Sequence, residues 1–250
     1  MRTQDIEPAL EALLLRLVPD LPAQWQGASE EEIARLEQIA GRPLPRCYRW
    51  FLVRMGRSMG SIAYPTVDFS AQRILSAYAT GGVASDPRFL MIGHESRADM
   101  PMHVFYDLDR CERDDAMVLR ASDPHEDSYE QFETLREMLA WGELWLRGVE
   151  GQPFRCSGTV EDQDGDVLAR LVPLLHGLGF TTPIPTGPYC GLFERADACM
   201  ITKSIPGREP RTHSFSLGAR DVGRLRRLLG EIASAHAFDL EIMEWEPPLP

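Results

Sequence analysis

With 250 residues, 44% of them apolar, the chain is long enough to bury a core in one large domain or in two small ones. Its formal net charge of −12 disfavours binding to nucleic acid or to anionic lipid, because like charges repel. Charges or prolines interrupt every apolar run before it can span a bilayer, and the N-terminus lacks a signal-peptide pattern. The sequence therefore predicts a cytoplasmic protein without a membrane segment.

The cysteines and histidines do not follow a metal-binding or disulfide pattern. The five cysteines are odd in number and form no C-x-x-C pair, so we expect reduced, buried thiols. The six histidines form no H-E-x-x-H motif and no pair at i, i+4 spacing. The sequence thus predicts neither a metal site nor a cofactor.

The first sixty residues show the apolar period of amphipathic helices. A first helix is predicted over residues 6–17, with Pro22 marking the break after it. A second helix opens with a capping box at Ser29–Glu32 and ends at Gly41. A third begins at Pro45, which suits a first helical turn, and ends near residue 56.

Residues 56–60 spell Gly-Arg-Ser-Met-Gly, which matches the G-x-S-x-G pattern of α/β-hydrolases. That motif needs a buried strand before the serine and a helix after it. Here an amphipathic helix precedes Ser58 and the strand-like segment SIAYP follows it, so the order is reversed. The sequence therefore predicts that the chain is not an enzyme acting through Ser58, although His94, His103 and His125 do follow it.

Short β-type segments come next. They read FLMIG at 89–93, HVFYDL at 103–108 and AMVLRAS at 116–122. A further capping box at Ser128–Gln131 predicts a closing helix over residues 129–148. Trp141 and Trp145 are expected to pack in this helix as core or domain-interface residues.

The segment ASEEEIARLEQIAGRPLPRCYRWFLVRMGRSMG, residues 28–60, resembles the N-terminal signature of the SUKH superfamily. The matching elements are Glu30 to Glu32, Ile33, Leu36, Glu37, Gly41, Leu44, Pro45, Tyr48 and Gly56. The strand-like segments and the closing helix extend the resemblance to residues 5–150. One departure is HESRADMPMH, residues 94–103, where members commonly carry a Gly-Gly-Gly-Asp-like turn.

The resemblance implies helices packed on an antiparallel sheet, no catalytic residues and a role in binding. Bacterial members are mostly immunity proteins that bind and neutralise a cognate toxin, often a nuclease. Fungal relatives resemble scaffolds in cell-wall signalling. Two functions are therefore open: a toxin-binding immunity protein, or a regulatory or scaffold interaction module with a housekeeping partner.

The pattern restarts after Gly148, Gly151 and Pro153, which predicts two domains, 1–150 and 151–250. The second part reads as strand, helix, several strands, helix and strand, with Pro173 inside its first helix. That order is typical of a split βαβ, ferredoxin-like sandwich. The whole chain is thus predicted to be α+β.

Acidic residues are concentrated in one stretch, because residues 95–150 hold 15 acids and only 6 bases. Such a surface steers basic partners towards itself. The candidate partner-binding residues are Asp107, Asp109, Glu112, Asp114, Asp115, Glu126 and Asp127. If both segments border one sheet, they form one negative surface for a basic protein toxin; solvated hairpin loops are the alternative.

Overall fold

The computed structural model describes residues 7–248 except 63, 65, 97–100, 127, 164, 236 and 237. These residues form eight α-helices and two antiparallel sheets of five strands each, which confirms the predicted α+β class. The chain divides into two compact units, one up to Met138 and one from Leu139 onwards. Over the described residues, no helix is both long and apolar enough to cross a membrane.

The first unit contains five helices, a five-stranded meander and the start of a sixth helix. Its elements are α1 Pro8–Leu17, α2 Leu21–Gln24, α3 Glu30–Ala40, α4 Arg46–Met55, β1 Val67–Asp68, α5 Ala71–Ala79, β2 Phe89–Glu95, β3 His103–Glu112, β4 Asp115–Ala121, β5 Ser128–Phe132 and α6 Leu135–Glu143. The strands lie in the sheet in chain order, so each pairs antiparallel with its neighbour in sequence.

Helix α3 begins and ends where its local chemistry predicts, whereas Pro22, predicted to mark a break, lies in the first turn of α2. Ser29 and Glu32 form the capping box of α3, with the Ser29 amide donating to the Glu32 carboxylate at 2.7 Å. Gly41 ends α3 in a left-handed conformation, with φ of 65°. Helix α4 then buries its aromatic face against the sheet, where the rings of Tyr48 and Tyr106 meet edge to face at 5.3 Å.

The predicted closing helix over 129–148 is wrong in its first part. Residues Ser128–Phe132 form strand β5, and the buried Phe132 pairs with Val118 of β4. The helix begins instead at Leu135, where the hydroxyl of Thr134 accepts the Glu137 amide at 3.2 Å. The Ser128–Gln131 pattern mimics a cap, but β-forming side chains beside an open edge of β4 extend the sheet.

The second unit begins within α6 and continues through a π-helical segment. Its further elements are the π-helical segment Leu144–Val149, β6 Phe154–Glu161, α7 Val167–Gly177, β7 Cys190–Arg195, β8 Ala198–Lys203, β9 Thr212–Ala219, α8 Val222–Ser234 and β10 Asp239–Glu246. The sheet order is β10-β6-β9-β8-β7. The core between sheet and helices includes Val160, Leu171, Met200, Leu217 and Leu225.

The order of elements in this unit matches the prediction, and one half has the split βαβ arrangement. Strands β9 and β10 both pair antiparallel with β6, so they run parallel on either side of it, joined by α8. The other half differs, because three strands rather than two form the meander β7-β8-β9. The extra strand makes β6 and β7, which α7 joins, antiparallel.

The sequence placed the domain boundary after residue 150, whereas the units divide between Met138 and Leu139. The π-helical segment packs on the second sheet, because a side chain at Gly148 would lie 2.6 Å from the Cys199 sulfur. Likewise, a Cβ at Gly218 would lie 2.7 Å from the Val149 carbonyl oxygen. These close approaches assign residues before the predicted linker to the second unit.

Candidate acidic binding surface

The β3–β4 hairpin carries most of the predicted acidic residues, and its ladder is irregular. Asp107 pairs with Met117 while Cys111 pairs with Ala116, so the intervening residues 108–110 bulge from β3. At the tip, Arg113 and Asp114 both have positive φ, 51° and 63°. This is the pattern of a type I′ turn, which matches the strand twist but favours Asn, Asp or Gly. The hairpin therefore tolerates a strained residue, Arg113, at its tip.

Contacts to neighbouring helices hold this tip in place. The Cys47 amide, in the first turn of α4, donates to the carbonyl of Asp114 at 3.1 Å. Pro45, the residue before α4, offers no side-chain cap, so the turn satisfies one of the open amides of the helix. Arg46 also contacts the Asp114 carboxylate at 3.1 Å. The tip is thus a fixed feature of the first unit.

Asp107 is buried, so it cannot take part in a solvent-facing surface as the sequence predicted. Only 2% of the residue is exposed. Its two carboxylate oxygens accept from Arg88, at 3.0 Å from Nε and 2.8 Å from the terminal nitrogen. This bidentate pair ties β3 to the residue before β2. Asp107 therefore has a structural role.

Asp115 was also predicted to lie on the surface, but it is fully buried. Its carboxylate accepts from the Tyr106 hydroxyl at 2.7 Å, the Ala116 amide at 2.9 Å and the Arg136 amide at 3.0 Å. Burial raises the pKa of Asp115, and these donors oppose the rise. Through Arg136, Asp115 also satisfies an amide in the first turn of α6.

Three of the predicted residues remain on the surface of the hairpin. The side chains of Asp109 and Asp114 are 54% and 58% exposed, and each contacts one arginine, Arg42 at 3.0 Å and Arg46 at 3.1 Å. Glu112 is exposed as well, and it has no ion-pair partner in the part of the chain that the structure describes. We call Asp109, Glu112 and Asp114 the hairpin carboxylates.

The second acidic segment lies in the loop between β4 and β5. Glu126 is exposed, and Asp127 lies outside the described residues. His125 in this loop contacts the Asp86 carboxylate at 3.0 Å. Asp86 in turn accepts the amide of Arg88, the residue that holds Asp107. The loop is therefore anchored beside β2, and Asp86 and Arg88 link it to β3 through a chain of contacts.

Glu133, which is not among the residues predicted from the sequence, lies near the hairpin tip. Burial raises the pKa of Glu133 to about 7, and the negative charges of Glu137 and Glu112 add to the rise. The Glu137 carboxylate is 1% exposed and contacts Arg113 at 3.3 Å. Glu133 and Glu137 are four residues apart within the acidic stretch. This spacing does not reveal the raised pKa of Glu133, because its main cause is burial, which depends on the packing of the folded chain.

Ser58 does not occupy a nucleophile elbow. Helix α4 ends at Met55 and no strand precedes the serine in the described residues 46–57. The backbone of Ser58 pairs with Gln26, and its hydroxyl oxygen accepts the Gly60 amide at 3.2 Å. The G-x-S-x-G pattern therefore forms a turn after a helix.

The sequence predicts no metal site and expects reduced, buried thiols. The structure can be compared with these two predictions over its described residues. There, no three His, Cys, Asp or Glu side chains are grouped as a metal site requires. Within the described residues the five cysteines form no disulfide bond; Cys47, Cys156, Cys190 and Cys199 are buried as expected, whereas Cys111 is exposed. Burial raises the pKa of Cys47 and of Cys156, which disfavours their reactive thiolate forms.

In comparisons with known proteins, no family model matches the sequence, and neither a curated protein nor a solved structure matches the chain.

Proposed function

We propose that the chain is a non-enzymatic, cytoplasmic immunity protein that binds and neutralises a cognate, basic protein toxin. The N-terminal resemblance to the SUKH superfamily suggests this class of function, and the hairpin carboxylates suggest where the toxin binds. The proposal needs neither a cofactor nor a metal, because neutralisation requires only that the toxin be covered.

The observation that carries the proposal is the fixed tip of the β3–β4 hairpin, which exposes three carboxylates, two of them paired with surface arginines. Its carboxylates are exposed, while the backbone beneath them is held to α4 by the Cys47 amide and to α6 by the Arg136 guanidinium, which donates to the Arg113 carbonyl at 3.3 Å. A binding group held by a rigid element loses little conformational entropy on association. Such a surface can therefore recognise a rigid basic patch at low entropic cost.

The charge of the surface also supports a basic partner. The hairpin carboxylates, Glu126 and Glu133 belong to the stretch of 15 acids and 6 bases, in a chain whose net charge is −12. A field of this sign accelerates encounters with a basic protein, and added salt weakens the effect. Because exposed ion pairs within one protein contribute little, Asp109 and Asp114 can exchange their arginines for those of a partner.

The raised pKa of Glu133 supplies a pH signature for this mode of binding. A basic side chain placed beside Glu112 and Glu133 would favour the carboxylate form of Glu133 and lower its pKa below about 7. Binding would then release a proton, so affinity should increase as the pH rises from 6 to 8. The variant Glu133→Gln should lose this dependence.

A growth assay tests the immunity function. The probe is the product of the gene directly upstream, expressed with and without this chain. We expect that product alone to arrest growth and coexpression of the chain to restore it. Arrest that the chain fails to relieve would refute immunity towards this product.

A charge-reversal pair tests the binding surface. One variant carries Asp109→Lys, Glu112→Lys and Glu126→Lys. The control carries Glu231→Lys, Asp239→Lys and Glu241→Lys, all exposed positions in the second unit, so both proteins have the same net charge. We expect the first variant to associate about 10- to 100-fold more slowly at low salt, and the control to change far less. Equal slowing in both would show that net charge alone drives the encounter.

The alternative function is a regulatory or scaffold module. It is favoured if the upstream product binds through the same surface but does not arrest growth. The charge-reversal pair applies unchanged to that case.

A further inference from the structure

The second unit contains a cavity of about 260 Å³ that the binding surface above does not use. Ser157 of β6 and Ser216 of β9 lie directly opposite each other at the cavity. They alternate along their strands with the core residues Cys156 and Leu217. Because successive side chains point to opposite faces, the two hydroxyls face away from α7 and α8.

Trp145, in the π-helical segment, forms a wall of this cavity, and 41% of the residue remains exposed. Its ring lies nearly parallel to that of Trp141, with centroids 6.2 Å apart. The close approaches at Gly148 and Gly218 press this segment onto the sheet. The Trp145 ring is thus exposed to solvent within a π-helical segment, and short π-helical segments are frequent at functional sites.

The charged groups at the cavity leave it with excess negative charge. The lining contains one cation, Arg155, and three carboxylates, those of Glu150, Glu244 and Glu246. Arg155 is already occupied, since it donates to the carbonyls of Glu150 and Gln152 at 3.1 and 3.0 Å and to the Glu246 carboxylate at 3.0 Å. Glu244 is exposed, and among the described residues it has no ion-pair partner.

We propose that this cavity binds a small organic cation, an alkylguanidinium or alkylammonium group. The ring of Trp145 attracts a cation to its face, Glu244 supplies the counter-charge because Glu150 and Glu246 already pair with Arg155, and the two serine hydroxyls accept hydrogen bonds. A cation already lies against this aromatic pair, because the Lys203 ammonium is 5.9 Å from the Trp141 ring centroid. The inference is independent of the proposed immunity function, which concerns the other unit.

The experiment compares two ligands of the same shape on the whole protein. Butylguanidinium and butylurea are nearly isosteric, and only the first is charged. Binding is followed by NMR at the Trp145 indole N–H, which Trp145→Phe identifies by removing that resonance. We expect butylguanidinium to shift it saturably with a millimolar dissociation constant and butylurea to bind about tenfold more weakly.

A matched pair of variants tests the counter-charge. Glu244→Gln removes a lining carboxylate, whereas Glu241→Gln removes an exposed carboxylate of the same strand that does not line the cavity. The first should weaken butylguanidinium binding about three- to fivefold and the second should leave it unchanged. Equal binding of the two ligands, equal loss in the two variants, or no saturable shift overturns the proposal. The ligand comparison uses the unsubstituted protein, so it stands even if a variant misfolds.

Discussion

Asp115→Asn replaces the buried carboxylate of the β3–β4 hairpin by an amide of nearly equal size, and we expect it to destabilise the first unit strongly. The carboxylate accepts from Tyr106, Ala116 and Arg136. An amide has only one acceptor oxygen, so at least one of these donors would face an NH₂ group and lose its partner.

The magnitude follows from burial. A buried donor without an acceptor costs about 1–3 kcal/mol, and weakening of the remaining charge-assisted bonds adds to that cost. We therefore expect a loss of about 2–4 kcal/mol in the free energy of unfolding. With a urea m-value of about 2 kcal/mol/M, the middle of the usual range, the unfolding midpoint should fall by roughly 1–2 M.

The adjacent Asp114→Asn is the matched control. Its side chain is 58% exposed and contacts Arg46 at the surface, an interaction worth about 0–1 kcal/mol. Asparagine also tolerates the positive φ of this position. Urea unfolding followed by tryptophan fluorescence measures both variants, because Trp50 is fully buried in the first unit. A loss below about 1 kcal/mol for Asp115→Asn, or an equal loss in the two variants, would refute the reasoning.

Two further predictions concern stability. Between pH 4.5 and about 7, Glu133 is protonated more in the folded chain than in the unfolded chain. The stability of the folded chain therefore falls as the pH rises through that range. In urea titrations Glu133→Gln should flatten the dependence of stability on pH. After allowance for solvent screening, it should stabilise the protein by about 1 kcal/mol at pH 8. An unchanged pH dependence would contradict the raised pKa of Glu133. Gly158→Ala should destabilise the second unit by more than about 2 kcal/mol, because its Cβ would lie 1.9 Å from the Glu241 carbonyl oxygen across the β6–β10 ladder. Gly230 lies on the exposed side of α8 with open space around it, so Gly230→Ala should instead stabilise the second unit by about 0.5–1 kcal/mol. Thermal melts that show the same change for both glycine substitutions would contradict this explanation.

The sequence alone determined those features that depend on neighbouring residues. The capping box at Ser29–Glu32 and the end of α3 at Gly41 are local interactions, so their residues could be read directly. The seven elements of the second unit after the π-helical segment also follow from periodicity and turn residues. The α+β class was predictable for the same reason.

The start of α6 shows where local patterns become ambiguous. Residues 128–131 could cap a helix or extend a sheet, and both choices satisfy nearby hydrogen bonds. These residues pair with the edge of β4 and so extend the sheet. That edge exists only after the β3–β4 hairpin has formed. The pKa of Glu133 likewise depends on neighbours that the chain brings together in three dimensions.

Tertiary structure also decided which acidic residues face the solvent. In an uninterrupted strand Asp107 and Asp109 would lie on the same face, yet the bulge between Asp107 and Cys111 leaves one buried and the other exposed. Asp114 and Asp115 are adjacent, but the turn directs Asp114 outwards while Asp115 enters the core. Burial of each carboxylate requires donors from distant segments, Arg88 for Asp107 and Arg136 for Asp115. Composition therefore located the acidic stretch. Only the folded chain, which brings these donors to the carboxylates, decided which carboxylates are buried and which are exposed.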